Sequence, residues 1–598
     1  MPFLRTYRNF LFLFTAVLPL AVVEAQQTVF PAAIGTQEAK AITTFECAGI
    51  YWSPAEGAKD NACAVEYQQR GAKQWKKALP LCYDERNREY RGSIVSLKPD
   101  TLYNVRLKLE KTATTATVQA KTWSEKFPVA RTVTLSSGTT DKPLEIKEGG
   151  TPEGYVVYAG AKGGTVIDVN NTAPACVVIS APYVILRRVT LKGAAKDGVL
   201  LSGPVHDVVV EQCDISGWGR IAKDGWGEEM DAALKAPSKE VERIIVQRNK
   251  MHDPRSNSND WGQPRIRGNG ISNPHPLGPQ GIVFFESKGN HVLRYNEIYS
   301  DEEHRFNDGI GGADNFSYEG FPGQDSDVYG NYIRNVCDDA LEIEGGNRNV
   351  RVWGNYLDLA MAGVASAVNS VGPLYIFRNV YAVSRRTANW EPPVPDHKGV
   401  DISAGIALDN RGTFAKLSDA QQVTTRDGSK WTFGGGRRYF LHNTLLQPAS
   451  PNPGEPTRGA RCGIGRWAGA MENTVSRNNI YDVAPIPEIN GHKMTWSVFD
   501  VRRWPTNSLD YDLCSGEVIV ADGQETHAIH ATPVYAPGNG AESGTNGRYA
   551  LAPNSPGYGQ AERLPNFNDA FKKHGPDIGA AQADEPPMEF GVHAHEKP

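Results

Sequence analysis

The chain has 598 residues, a formal net charge of -5 and 22% charged side chains, a balance that gives no broad electrostatic attraction to nucleic acid or to an anionic membrane. Its 60 glycines and hydrophobic share of 40% exclude a disordered chain and indicate an ordered, turn-rich one.

Residues 1–25 have the features of a secretory signal peptide. Arg5 and Arg8 precede an apolar run from Phe10 to Val23, and Val23-Glu24-Ala25 places small residues at both positions that specify cleavage. The run is short for a membrane anchor, and no later stretch is long and apolar enough to cross a bilayer. A secreted protein, extracellular or periplasmic and without membrane insertion, is expected. None of the eight cysteines lies in a CxxC pair or beside a histidine at zinc spacing, which argues against a zinc site. Cys176, Cys213 and Cys337 fall in strand-like runs as small core residues. Export permits disulfides, and a bond from Cys63 to Cys82 or Cys47 stays open.

Residues 30–125 contain short alternating runs, Ile50–Trp52, Ala64–Tyr67 and Leu102–Leu107, separated by turn residues, which predict a small β-sandwich. The stretch Leu97-Lys98-Pro99-Asp100-Thr101-Leu102-Tyr103-Asn104-Val105-Arg106 resembles the fibronectin type III family. The resemblance implies a tyrosine corner in which the Tyr103 hydroxyl bonds to nearby backbone, with Trp52 and Trp75 as core aromatics. It also implies a structural or spacer role ahead of sugar binding, and the domain is expected to be removable without loss of catalysis.

Residues 126–585 carry an internal repeat. The frame apolar, any, apolar, any, any, Asn, any, apolar recurs around Asn249, Asn296, Asn331, Asn355, Asn379, Asn443 and Asn479, with Val189 and Cys213 at the same place earlier. The positions 331, 355 and 379 are 24 residues apart, as are 189 and 213; larger gaps mark insertions. Three short strand-like runs per unit suit one turn of a parallel β-helix, with apolar side chains stacked inside and the asparagines forming a ladder at a bend. This domain resembles the pectin-lyase-like right-handed β-helix superfamily, through Ser137-Gly138-Thr139 and Lys142–Ile146 at its entry and Tyr549–Pro556 and Pro576–Ala580 at its close. The expected fold class is all-β, a right-handed parallel β-helix preceded by a small β-sandwich, with residues 586–598 as a flexible tail. Such a solenoid serves lyases, hydrolases, epimerases and adhesins, so the site must decide function.

Aligning coils on Gly198, Gly281, Gly309, Ala340, Gly363 and Gly405 puts Asp308 at the register of Asp339, one coil or roughly 4.8 Å away. In Ala340-Leu341-Glu342-Ile343-Glu344, alternation turns Leu341 and Ile343 inward and Glu342 and Glu344 outward. Asp308, Asp338, Asp339, Glu342 and Glu344 are therefore the candidate catalytic residues, with Asp314 and Asp409 nearby. Neighbouring strands put Val283, Phe285, Ala365 and Ala367 at the outward positions, so the acidity is local. The plain alternative is a solvated acidic strand face.

Two chemistries fit. In glycoside hydrolysis one carboxylic acid protonates the leaving oxygen and a second carboxylate activates water or attacks. Asn307-Asp308-Gly309 followed by Asp338-Asp339 resembles the polygalacturonase family, which implies acid and base roles for these aspartates, although that family's Gly-His-Gly and Arg-Ile-Lys segments have no counterpart here. In β-elimination a cation neutralises a uronate and a basic side chain takes its C5 proton. Asp338, Asp339 and Glu342 resemble the calcium pocket of pectate lyase family 9, which implies Ca²⁺ ligation by Asp308, Asp338, Asp339 and Glu342. The base is unassigned among Arg385, Arg386, Lys398 and Arg411, with His304 and His397 as further acid–base candidates. Long insertions (216–240, 252–280, 299–325, 384–403 and 411–437) suit a substrate cleft. They carry Trp218, Trp226, Trp261, Trp390 and Trp431 for sugar stacking and Arg265, Arg267, Arg305, Arg385 and Arg386 for acidic sugars, or these side chains simply fold the loops. Arg385, Arg386, His304 and Trp390 are the substrate-binding candidates. The expectation is a monomeric secreted polysaccharide-degrading enzyme, a hydrolase without cofactor ahead of a Ca²⁺-dependent lyase, with a non-catalytic glycan-binding protein as the third alternative.

Overall fold

The computed structural model describes residues 30–596 except 262–264, 268–269, 272–274, 314–317, 319, 386–411, 419–420, 425–429, 449–458, 466–470 and 484–494. The expected signal segment, Asp314, Arg386, Trp390, His397, Lys398, Gly405, Asp409 and Arg411 lie outside the described residues, as do the side chains of Arg267 and Trp431.

Seven strands open the chain: β1 (Lys40–Thr43), β2 (Ala48–Trp52), β3 (Cys63–Gln69), β4 (Lys76–Asp84), β5 (Glu89–Ile94), β6 (Leu102–Leu109) and β7 (Thr115–Lys121). They pair antiparallel in the order β1-β2-β5-β4-β3-β6-β7. The start of β4 pairs with β3 and its end with β5, so the sheet folds across β4 into a sandwich-like body. Alternation in β3 and β6 sends Val65, Tyr67, Tyr103, Val105 and Leu107 inward against Trp52 and Tyr90. The Tyr103 hydroxyl accepts the Lys98 N–H at 2.9 Å, the back-bond expected from the sequence. Trp75 is not a core residue; it lies under the Arg106 guanidinium at 4.3 Å. All eight cysteines are free, so the Cys63 disulfide does not form: Cys63 belongs to the sandwich core and Cys47 to a separate apolar cluster facing the solenoid.

The rest of the chain is a parallel β-helix solenoid. Twelve strands, from Val129–Thr134 to Ser508–Asp510, stack in parallel as one sheet, and a 23-stranded sheet carries the other strands of the coils. Val328, Val352 and Ile376 stand in register on consecutive coils and are fully buried. Stacks of this kind form one continuous core.

At the bend between sheets the asparagines form a ladder. Asn331 donates its backbone N–H and its side-chain N–H to Asn355 Oδ1 at 3.0 and 2.9 Å, and Asn355 does the same to Asn379 at 3.1 and 2.9 Å. The same bonds link Asn249, Asn296, Asn331, Asn379, Asn443 and Asn479, and the series ends on Asp512 Oδ1. The residue before each rung, including Arg248, Tyr295, Gly330, Gly354 and Arg378, has positive φ, which turns the chain so that the next side chain points into the bend.

The first domain is seated on the twelve-stranded sheet. Tyr51 donates its hydroxyl to Asp325 at 2.8 Å, Thr44 donates to Asp327, and Arg91 donates to the Gly372 carbonyl at 2.9 Å. Asp327 also pairs with the fully buried Arg351 at 2.6 Å. Gly49 is required by this approach, since a Cβ there would lie 1.9 Å from Asp325 Oδ1. The chain end packs back rather than trailing as a flexible tail: Val592 and Ala594 are buried, and the Gly591 N–H donates to the Gly330 carbonyl at 2.9 Å.

Candidate functional site

The site lies where consecutive coils present their outward positions. Ile282, Ile310, Leu341, Val364 and Ala415 pair in register and point into the core. The residues after them, Val283, Gly311, Glu342, Ala365 and Lys416, therefore face outward in one column. Gly281, Gly309, Ala340 and Gly363 keep the expected alignment, but the next coil enters through Phe414, not Gly405: the strand Thr413–Leu417 pairs with Tyr356–Ser366.

Asp308 and Asp339 occupy one register on adjacent coils, and the Asp339 N–H donates to Asp308 Oδ1 at 3.1 Å. A β-bulge between Val336 and Asp339 adds a residue to this strand and re-aims its side chains. Asp308, Asp339 and Glu342 each bring a carboxylate oxygen within 4.8 Å of the others. Gln280 and Asn307 both donate to Asp308 Oδ2, at 3.2 and 2.7 Å. The carbonyl oxygens of these two amides and Asp339 Oδ1 are buried without a hydrogen-bond partner. Orphaned acceptors of this kind are costly unless a cation or water serves them.

Two other carboxylates are split off from this trio. Asp338 accepts the Trp261 indole N–H at 2.8 Å and lies 3.2 Å from His275 Nε2. His275 donates from Nδ1 to the Pro276 carbonyl at 2.6 Å. Glu344 accepts the Ala367 N–H at 3.0 Å.

Lys416 completes the site. Its ammonium lies 2.6 Å from Asp339 Oδ2 and 3.9 Å from Glu344 Oε1, on a side chain 19% exposed. Burial pushes the carboxyls of Asp308, Asp339 and Glu342 well above the usual carboxylate range, and their mutual repulsion adds to it. Burial works against the charge on Lys416, but Asp339, Asp338, Glu344 and Glu342 outweigh it and raise the ammonium's pKa.

The remaining candidates serve the loops. Arg385 is buried and donates to Asp260, Asn335 and Glu302 at 2.7, 2.6 and 2.7 Å, contacts that tie the loops together. Arg305 holds the other oxygen of Asp260 at 2.7 Å, and Arg265 is paired with Asp224 at 3.0 Å. His304 donates to the Pro254 carbonyl at 2.7 Å. Trp218 is fully buried against Phe306, and Trp226 lies beside Arg305; of the loop tryptophans whose side chains are described, Trp261 reaches the acidic cluster. Lys416 and His275 escaped the sequence analysis, although Thr413-Phe-Ala-Lys-Leu alternates with Lys416 at its outward place.

No family model, curated protein or solved structure matches this chain.

Proposed function

We propose that the chain cleaves a uronate-containing polysaccharide by β-elimination, with Asp308, Asp339 and Glu342 holding a divalent cation such as Ca²⁺ and Lys416 beside it as the base. The supporting observation is the convergence of three carboxylates, Asp308, Asp339 and Glu342, with Asp339 Oδ1 buried and without a hydrogen-bond partner. Their mutual spacing, within 4.8 Å, matches hard oxygen ligands around a cation bound at roughly 2.4 Å. Two adjacent coils supply this donor set, and Gln280 and Asn307 hold Asp308 in place. We also infer a pectin-lyase-like solenoid and a fibronectin type III-like first domain, resemblances that suit a polysaccharide-active protein without choosing its reaction.

Asp308, Asp339 and Glu342 would hold the cation, which would supply neutralisation of a uronate carboxylate and so a more acidic C5–H. The carboxylates around Lys416 raise its pKa, and a cation shared among them would offset that charge and free the amine to accept the C5 proton. The C–H electron pair becomes the C4–C5 double bond, the C4–O bond breaks, and the departing oxygen takes a proton from solvent. Asp339 orients Lys416, and Trp261 and His275 both engage Asp338.

Hydrolysis is supported by a different observation: burial raises these carboxyls, the direction a general acid requires. The discriminating experiment incubates the mature protein with acidic and neutral polysaccharides, with Ca²⁺ or with EDTA, following reducing ends and unsaturated-uronate absorbance together. Both signals, lost in EDTA, support elimination. Reducing ends without the absorbance reject it in favour of hydrolysis.

A further inference from the structure

A second cleft lies at the seam of the two domains, on the twelve-stranded sheet rather than on the sheet that carries the acidic cluster. Its volume is about 330 Å³, at the small end of ligand sites. The first domain and its linker contribute Trp123 and Phe127, and the solenoid contributes Tyr155 and Tyr183 on successive coils. The rings meet edge to face, Phe127 with Tyr155 at 5.5 Å and Tyr155 with Tyr183 at 5.6 Å, and Trp123 is braced by Phe45 at 5.4 Å. Trp123, Phe127 and Tyr183 remain partly exposed.

One edge of the cleft is polar. Arg243 holds Asp207 through Nε at 3.1 Å and Nη2 at 2.8 Å, and Glu242 through Nη1 at 2.6 Å. A guanidinium has five N–H donors, so two remain for a ligand. Rigid, amphipathic rings beside a fixed planar donor pair suit a pyranose, whose C–H face packs on a ring while its hydroxyls or carboxylate meet the guanidinium.

We propose that this seam is a non-catalytic binding site for a pyranose unit of a polysaccharide, held by Trp123, Tyr183 and Arg243. It requires that the chain meets a polysaccharide, not that it cleaves one. No single domain holds the site, since the rings converge only when the sandwich sits on the solenoid.

Tyr183 allows a clean test. Its φ is +54°, a conformation that glycine adopts at no steric cost. Tyr183→Gly therefore removes the ring without straining the backbone, and Tyr183→Phe keeps the ring. Polysaccharide binding is measured by affinity electrophoresis and calorimetry on the full chain in EDTA, where the proposed elimination is silent. The expected result is binding by the wild type and by Tyr183→Phe, and binding about tenfold weaker in Tyr183→Gly and Trp123→Ala. Equal affinity in Tyr183→Gly and wild type, or no binding by wild type across neutral and acidic polysaccharides, overturns the site. Binding in EDTA with no elimination when Ca²⁺ is restored supports this site and counts against the proposed reaction alone.

Discussion

Lys416 Nζ sits 2.6 Å from Asp339 Oδ2, joining two residues 77 positions apart through strands that are not sequence neighbours. This is the contact that turns an acidic strand face into a candidate active site, because it places a nitrogen base beside a cluster able to hold a cation. Lys416→Met keeps most of the side-chain volume and removes the amine. Its expected effect is a loss of kcat/KM of about 10²–10⁴-fold, the usual contribution of a positioned base, with oligouronide binding retained. Initial rates and calorimetry check it; a variant with wild-type rates removes Lys416 from the mechanism.

The cation prediction needs no substrate. Ca²⁺ binds a folded site and not the unfolded chain, so it raises the melting temperature, by the equivalent of about 2.7 kcal/mol once free Ca²⁺ is a hundred times Kd. Asp308→Asn should abolish the rise, because it removes the carboxylate that Gln280, Asn307 and the Asp339 N–H all hold in place. Asp338→Asn should preserve it, since Trp261 and His275 occupy that carboxylate. Differential scanning calorimetry with Ca²⁺ and with EDTA decides both. Equal responses in the two variants would show that the ligand set is wrong.

The same two residues explain what was legible in the sequence. Asp308 and Asp339 could be superposed on paper because the asparagine frame gave the coil period and side-chain alternation gave the face. Lys416 could not, because an insertion of unmarked length precedes its strand and Gly405 imitates a strand start. The pairing of Arg385 was illegible for a related reason: its partners Asp260 and Glu302 are 125 and 83 positions away, and nothing local announces them. Periodic order is written locally, whereas loop contacts are not.

The ladder itself is testable. Asn355 is fully buried; its Oδ1 accepts two N–H groups from Asn331, and its Nδ2 donates to the Val328 carbonyl at 3.0 Å. Asn355→Ala leaves two buried donors and one acceptor unmet, a cost on the order of 3 kcal/mol or more. Asn355→Asp preserves the acceptor oxygen but places a carboxylate where the donor to Val328 was, and should also destabilise. Denaturant unfolding measures both. A midpoint unmoved in Asn355→Ala would mean that water replaces the rung.

The domain seam should respond to pH in a definite direction. Asp325 is fully buried against Tyr51, and burial pushes its carboxyl up to about 7, although Arg351 and the Tyr51 hydroxyl favour the charged form. The folded state thus holds a proton on Asp325 that the unfolded chain releases near its ordinary value of 3.8. Between these values the native state binds more protons, so this residue's contribution to stability falls as pH rises and levels off above about 7. Asp325→Asn is neutral throughout and can still accept the Tyr51 hydroxyl. The variant should therefore gain on the wild type as pH is raised from about 4 to about 7, with a constant difference above that. The comparison is between two chains at each pH, so buried His291 and His442, which both chains share, cancel. Denaturation midpoints across this range make the check, and a difference that shrinks with rising pH would show that Asp325 is ionised in its pairing with Arg351.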